Sequence, residues 1–133
     1  MAALAPYARD LVTLFAWWLL LLAFVAMKPH LSALEKGALE VLAKGLRERF
    51  GARLHTLTLF GSRARGSGRD DSDLDVLVLI DAMSRDDRRA VQDLAADLGI
   101  AHHLLLSPLV ADASSWRCDL PLARAIEQDG VAL

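Results

Sequence analysis

Two aspartates, Asp73 and Asp75, stand at the head of an apolar run that continues to Ile80. Residues two apart on a β-strand point to the same face, so both carboxylates are expected on one side of the sheet, with Leu74 on the other. Two like charges at this spacing repel each other unless a cation lies between them. Magnesium prefers oxygen ligands and leaves positions free for water and substrate phosphate. The pair therefore predicts a metal site at the start of a buried strand.

A second group of residues lies upstream, with ten residues between Ser62 and Asp73. Gly61 allows a sharp backbone turn, and Ser62 opens a short helical turn whose free N–H groups can hold phosphate oxygens. Arg63, Arg65 and Arg69 add positive charge within the same loop. Phosphate and metal are therefore expected to meet in one cleft.

This stretch has three features in common with other kinds of site or turn. A P-loop fails because Ser67 and Gly68 follow Gly66 where the essential lysine belongs. A calcium-binding EF-hand fails because Val76 and Ala82 occupy the positions of its glycine and glutamate. The third interpretation, a polar turn before a strand that happens to carry aspartates, stays open beside the metal site.

The remaining sequence predicts alternating helices and strands around this site. A capping box formed by Ser32 and Glu35 begins an amphipathic helix that ends at Gly51, and Ser84 begins another that ends at Gly99. Strands are expected at 54–60, 73–80 and 100–106, a helical turn after Gly61, a last helix capped by Asp112 or Asp119, and a short terminal strand from Val131.

The composition argues against a general nucleic-acid-binding protein and against a protein held together by disulfides. The 133 residues leave room for one domain and an appendage, and 15 basic against 17 acidic residues give no general attraction to nucleic acid, so no direct nucleic-acid partner is expected. Cys118 is the only cysteine, which excludes an internal disulfide and a CxxC metal site and fits a reducing cytoplasm.

Residues 1–27 form a separate apolar segment, because 11–27 contain no charge. The segment is expected to be a membrane anchor or upstream sequence before a true start at Met27, with a signal peptide as a third alternative. An anchor would place residues 28–133, the functional domain, in the cytoplasm, with membrane contact through 11–27.

Gly61-Ser62, ten residues, then Asp73-x-Asp75 resembles the GS-x10-D-x-D signature of the DNA polymerase beta-like nucleotidyltransferases, and especially the minimal nucleotidyltransferase (MNT) domains, antitoxins of the MntA kind among them. The resemblance covers Met27 to Leu133. It implies an α/β fold with a small mixed sheet flanked by helices, here preceded by the apolar N-terminal helix. It also implies two magnesium ions on Asp73 and Asp75, with Gly61 and Ser62 gripping the phosphates of ATP or another nucleoside triphosphate.

The resemblance also implies a partner. MNT proteins are commonly antitoxins that transfer AMP to a tyrosine hydroxyl of a small helical HEPN-type toxin, so a protein acceptor of this kind is expected. Active members generally carry a third carboxylate on the following strand, and no acid stands between Gly99 and Ser107. His103 lies nearest the expected place and is the candidate base or ligand. The alternative is a nucleotide-binding or toxin-binding module with weak or no catalysis.

Overall fold

The first element after the apolar segment is helix α1, Ala33–Phe50, in a computed structural model that describes residues 13–19 and 29–133. Ser32 caps α1 as expected: its hydroxyl accepts the Glu35 N–H at 3.2 Å, and the Glu35 carboxylate accepts the Ser32 N–H at 2.7 Å. The predicted capping box is therefore confirmed. Gly51 ends the helix, also as predicted.

Four strands form one mixed sheet in the order β3-β2-β1-β4. The bounds are β1 Leu54–Phe60, β2 Leu74–Ile80, β3 Leu106–Asp112 and β4 Val131–Ala132. β1 runs antiparallel to β2 and β4, whereas β2 and β3 are parallel. The C-terminal end of β1 and the N-terminal ends of β2 and β3 therefore meet at one edge of the sheet, which we call the head edge.

The helices pack on both faces of the sheet. Helix α2 (Gly61–Arg65) follows β1, α3 (Arg85–His102) follows β2, and α4 (Pro121–Asp129) precedes β4, with short 3-10 turns at Gly51–Arg53 and Ala113–Ser115. Alternate β2 residues serve two cores, because Val76, Val78 and Ile80 pack with α1 and α3 while Leu77 and Leu79 pack with Ile126 of α4. The predicted mixed sheet flanked by helices is confirmed.

The third strand lies further along the chain than predicted. Helix α3 does not stop at Gly99 but continues to His102, so the predicted strand at 100–106 is wrong and β3 begins at Leu106. The helix ends instead at His103, whose backbone is left-handed with φ 54°. Gly99 is needed for packing, because a Cβ atom there would lie 2.7 Å from the carbonyl oxygen of Leu104 where the chain turns back.

The last helix is also capped differently from the prediction. Leu120 precedes α4 without a side-chain cap, and Pro121 supplies the fixed backbone of its first turn. Asp112 caps the short 3-10 turn after β3 by accepting the Ser114 N–H at 2.9 Å, whereas Asp119 pairs with Arg117. The terminal strand at Val131 is confirmed.

Most of the predicted membrane segment, 11–27, lies outside the described residues. Residues 13–19 are helical and exposed. Within 13–19 and 29–133, no helix combines the length and the apolar character that crossing a bilayer requires.

Candidate active site

The carboxylate pair lies at the head edge of the sheet. Asp73 is exposed immediately before β2, and Asp75, the second residue of β2, is half-buried opposite Phe60 of β1. Burial, together with the negative charge of Asp73, raises the pKa of Asp75 above its usual 3.8. The two aspartates therefore share one electrostatic environment, and that environment favours a positive charge between them.

Gly61 lies directly against the carboxylate of Asp75. A Cβ atom at Gly61 would lie 2.5 Å from Oδ2 of Asp75, closer than non-bonded atoms approach. The backbone of Gly61 is also left-handed, with φ 78°, which side chains disfavour. The glycine turn thus lies against Asp75, although ten residues separate Ser62 from Asp73 in the sequence.

Ser62 anchors the loop that joins α2 to β2. Its carbonyl oxygen accepts the N–H groups of Ser67 and Gly68, both at 3.1 Å. Further along, the Arg69 N–H donates to the Ser72 hydroxyl at 2.9 Å, and the Ser72 N–H donates back to the Arg69 carbonyl. The segment 66–72, which we call the GS loop, therefore folds back over the helical turn and delivers the chain to Asp73.

The arginines predicted to bind nucleotide have different surroundings. Arg65 is exposed beside the GS loop, as a phosphate-binding cation should be. Arg63 is only 2% exposed and pairs with the buried carboxylate of Glu35 on α1. The idea that Arg63 adds free positive charge to the cleft is therefore corrected, because its charge is balanced inside the protein. The sequence showed Glu35 as a helix cap but gave no signal of this pairing.

Ser107 is the site residue that sequence reasoning missed. Because β3 runs parallel to β2, Ser107 lies directly beside Asp75, and its hydroxyl donates to Oδ2 of Asp73 at 3.2 Å. This is the position on the following strand that faces the carboxylate pair. The sequence prediction placed β3 too early in the chain and therefore did not bring Ser107 beside the aspartates. The residue at this strand position is a serine and not an acid.

His103 does not lie on that strand. It is exposed at the end of α3 and lines a shallow apolar pocket with Ile100 and Leu105 among others. Asp112, the acid at the end of β3, does not supply a third carboxylate either. It lies beside Ile80 in the strand register, at the opposite end of the sheet. Ile80 is five residues, or about 16 Å, along β2 from Asp75. The catalytic role of His103 stays a prediction.

The donor set at the head edge suits a hard cation. It offers two carboxylates and one hydroxyl, all oxygen donors, and magnesium typically takes one or two protein carboxylates and completes its shell with water and phosphate. Among residues 13–19 and 29–133, three or more His, Cys, Asp or Glu side chains never gather closely enough to hold a metal ion by themselves. Two protein carboxylates leave coordination positions of a magnesium ion free for water and phosphate oxygens.

Metal binding at this pair should weaken on mild acidification. Since the pKa of Asp75 is raised, protons compete for its carboxylate at a higher pH than for an ordinary aspartate. We expect magnesium to raise the unfolding temperature at about pH 7.5 and to do so less and less as the pH is lowered through the raised pKa of Asp75. Thermal unfolding with magnesium, and with sodium chloride at equal ionic strength, measures this. A magnesium effect that stays constant as the pH is lowered to the ordinary value of 3.8 would contradict it.

Comparison with known proteins agrees with this geometry. The sequence model of the nucleotidyltransferase domain matches residues 39–113, more than half of the chain. No curated protein sequence is similar enough to count as a match. A solved structure provisionally described as a minimal nucleotidyltransferase is 26% identical, with a TM-score of 0.50, and the match covers 78% of this chain and 98% of that one.

Two further solved structures are toxin–antitoxin complexes. One, crystallised with AMP-PNP, is 24% identical with a TM-score of 0.49, covering 70% of each chain. The other, a mutant of the MntA–HpeT complex, is 25% identical with a TM-score of 0.48, covering 71% of this chain and 70% of that one. The matched domain runs from within α1 to the end of β3 and contains the turn and both aspartates, and the chain therefore belongs to the nucleotidyltransferase domain family.

Proposed function

We propose that this nucleotidyltransferase domain uses magnesium and a nucleoside triphosphate, ATP in the first instance, to transfer a nucleoside monophosphate to a hydroxyl group of a partner protein. The observation that carries the proposal is the contact between Gly61 and Asp75. A turn suited to phosphate and a carboxylate suited to metal are adjacent, so one triphosphate can reach both.

The residues at the head edge would have separate roles in the transfer. Asp73 and Asp75 would hold the magnesium ions, which neutralise charge on the triphosphate and on the departing pyrophosphate. The turn at Gly61 and Ser62 would hold the β and γ phosphates, and Arg65 is free to add positive charge from the exposed side. The acceptor oxygen would then bond to the α-phosphorus as the bond from that phosphorus to pyrophosphate breaks, and the acceptor proton passes to a base or to water.

The proposed acceptor is a HEPN-type toxin, and the chain would then be its antitoxin. This part rests on the resemblance of the GS-x10-D-x-D motif to minimal nucleotidyltransferases. An exposed Asp73 at an open sheet edge is compatible with a macromolecular acceptor. We place the reaction in the cytoplasm, where nucleoside triphosphates and a reduced Cys118 are both expected.

A second candidate function is nucleotide or toxin binding without catalysis. It is favoured by one observation: the strand position beside Asp75 carries Ser107 and not a third carboxylate. A serine hydroxyl neither adds negative charge to hold a second metal ion nor takes up the acceptor proton.

Replacing Ser107 with Asp separates these functions. Without metal, a third carboxylate beside Asp73 and Asp75 should lower the unfolding temperature through repulsion, and with magnesium the loss should be recovered. If the site is catalytic but limited by its third ligand, we expect transfer to rise by about tenfold. Gln92→Glu, which also adds one negative charge but at an exposed position of α3, is the control. A variant that destabilises without any recovery by magnesium would contradict metal binding at the head edge.

The proposed function is tested by measuring which phosphate of ATP becomes attached to the partner protein. The chain is co-expressed with the product of its neighbouring gene and incubated with magnesium and ATP labelled at either the α or the γ phosphate. Nucleotidyl transfer places the α label on the partner and releases the γ label as pyrophosphate. Label on the partner from γ-labelled ATP alone would indicate phosphoryl transfer and overturn the proposal. A tight complex with no label would favour the binding module.

A further inference from the structure

We propose that Glu35 and Arg63 form a buried positioning pair that holds the GS loop in place between the phosphate-binding turn and the carboxylates. The inference deepens the proposed function, and its consequence for transfer rests on that function. Its structural part, the ordering of residues 66–72, stands on the contacts alone.

Arg63 joins three parts of the protein through one guanidinium group. One terminal nitrogen binds the Glu35 carboxylate on α1, and the other donates to the carbonyl oxygen of Arg69 at 3.0 Å in the GS loop. Asp70 lies 3.7 Å from the same guanidinium but is fully exposed, so it adds little. Arg63 therefore ties the beginning of α1 to the middle of the loop.

Glu35 is fixed at both carboxylate oxygens. Oε2 accepts the N–H of Ser32 in the capping box, and Oε1 accepts from Arg63. Although burial alone would raise the pKa of Glu35, the hydrogen bonds from Ser32 and Arg63 outweigh it and lower the pKa below 4.5. The carboxylate is thus charged at neutral pH and cannot rotate away without losing one of its two partners.

The ion pair of Glu35 and Arg63 is expected to add little to the free energy of unfolding. Buried ion pairs gain little over apolar side chains because both charges must leave water. In addition, Nε of Arg63 is buried without a hydrogen-bond partner, which adds a further cost. What the pair does supply is geometry, since two directed bonds fix the guanidinium and therefore the Arg69 carbonyl that it holds.

The Arg69 carbonyl oxygen that Arg63 binds lies close in sequence to the aspartates of the proposed site. Arg69 precedes Asp73 by four residues, and the intervening Ser72 is bonded back to Arg69. At the other end, Arg63 directly follows Ser62, whose carbonyl binds the loop amides of Ser67 and Gly68. The guanidinium therefore sets the separation of the phosphate-binding turn from the metal-binding carboxylates.

Amide hydrogen exchange on the full chain without nucleotide tests the structural part. Arg63→Met combined with Glu35→Gln keeps the capping contact to Ser32 and removes both charges. We expect amides of residues 66–72 to exchange about tenfold faster, with β1 and β2 unchanged. Arg63→Lys, which keeps the charge but not the two-sided bonding, should do the same. Glu48→Gln, the same change at an exposed position of α1, is the control and should change nothing.

Two results would overturn the inference. Unchanged exchange in the GS loop of a folded variant would show that the loop does not need the pair, and an equal rise across the whole chain would show a general role in stability. Transfer kinetics provide the separate catalytic readout, where Arg63→Lys should raise the KM for ATP about tenfold while changing kcat less. If the unaltered chain transfers no nucleotide, the proposed function fails, and the exchange result still decides the positioning role.

Discussion

Replacing Asp75 with Asn is expected to abolish nucleotidyl transfer and, at the same time, to make the protein more stable near neutral pH. The pKa of Asp75 is raised in the folded chain, because burial and the charge of Asp73 both disfavour its ionised form. Stability is therefore lost as pH rises from about the ordinary value of 3.8 through the raised pKa. The amide removes that cost, and it also removes one of the two proposed metal ligands.

The expected loss of transfer is about a thousandfold, the size of an effect of roughly 4 kcal/mol on the barrier. Thermal unfolding at pH 7.5 without magnesium should show a higher midpoint for Asp75→Asn than for the unaltered chain, and magnesium should no longer raise it. Asp71→Asn, an exposed change in the same loop, should alter neither property. Undiminished transfer by Asp75→Asn would contradict the assignment of the active site.

Replacing Gly61 with Ala is expected to damage both stability and transfer. A side chain at φ 78° costs about 1–2 kcal/mol, and its Cβ atom would lie 2.5 Å from Oδ2 of Asp75, so the carboxylate or the turn must move. We expect the free energy of unfolding to fall by about 2 kcal/mol or more. Transfer should fall by about a hundredfold, because displacement by a fraction of an ångström separates phosphate and metal ligands.

Gly37→Ala is the control for this effect. Gly37 lies on α1 in ordinary helical geometry, and a Cβ atom there would meet nothing within 4 Å. Alanine should therefore stabilise the helix by about 0.5–1 kcal/mol and leave transfer unchanged. Denaturant unfolding of both variants, with transfer measured alongside, gives the comparison. A Gly61→Ala protein with full activity would show that the turn does not need its close approach to Asp75.

The elements predicted well were those whose ends are encoded locally. Ser32 with Glu35 and Ser84 with Asp87 satisfy orphan helix N–H groups within four residues, so the two long helices begin where the sequence indicates. Helix ends were harder, because Gly99 was interpreted as a stop when it is required by the chain packing back at Leu104. That contact involves the next turn of chain, which local propensity does not describe.

The site was predictable only in part for the same reason. The spacing of two residues in a predicted strand indicated that Asp73 and Asp75 act together, and their distance in sequence from Gly61 and Ser62 matched a known motif. The pairing of Glu35 with Arg63 spans 28 residues, and the bond from Ser107 to Asp73 spans 34. Both depend on how α1 and β3 dock on the sheet, and a β3 predicted too early in the chain favours His103 over Ser107.

The central claim, that the aspartate pair at the head edge performs nucleotidyl transfer, is tested most directly by intact mass spectrometry of the partner protein. The co-expressed product of the neighbouring gene is incubated with magnesium, ATP and either this chain or its Asp73→Asn/Asp75→Asn variant. We predict mass increments of one or more AMP units with the unaltered chain and none with the variant. Increments that persist with the variant, or a stable complex that gains no mass with either chain, would contradict the account.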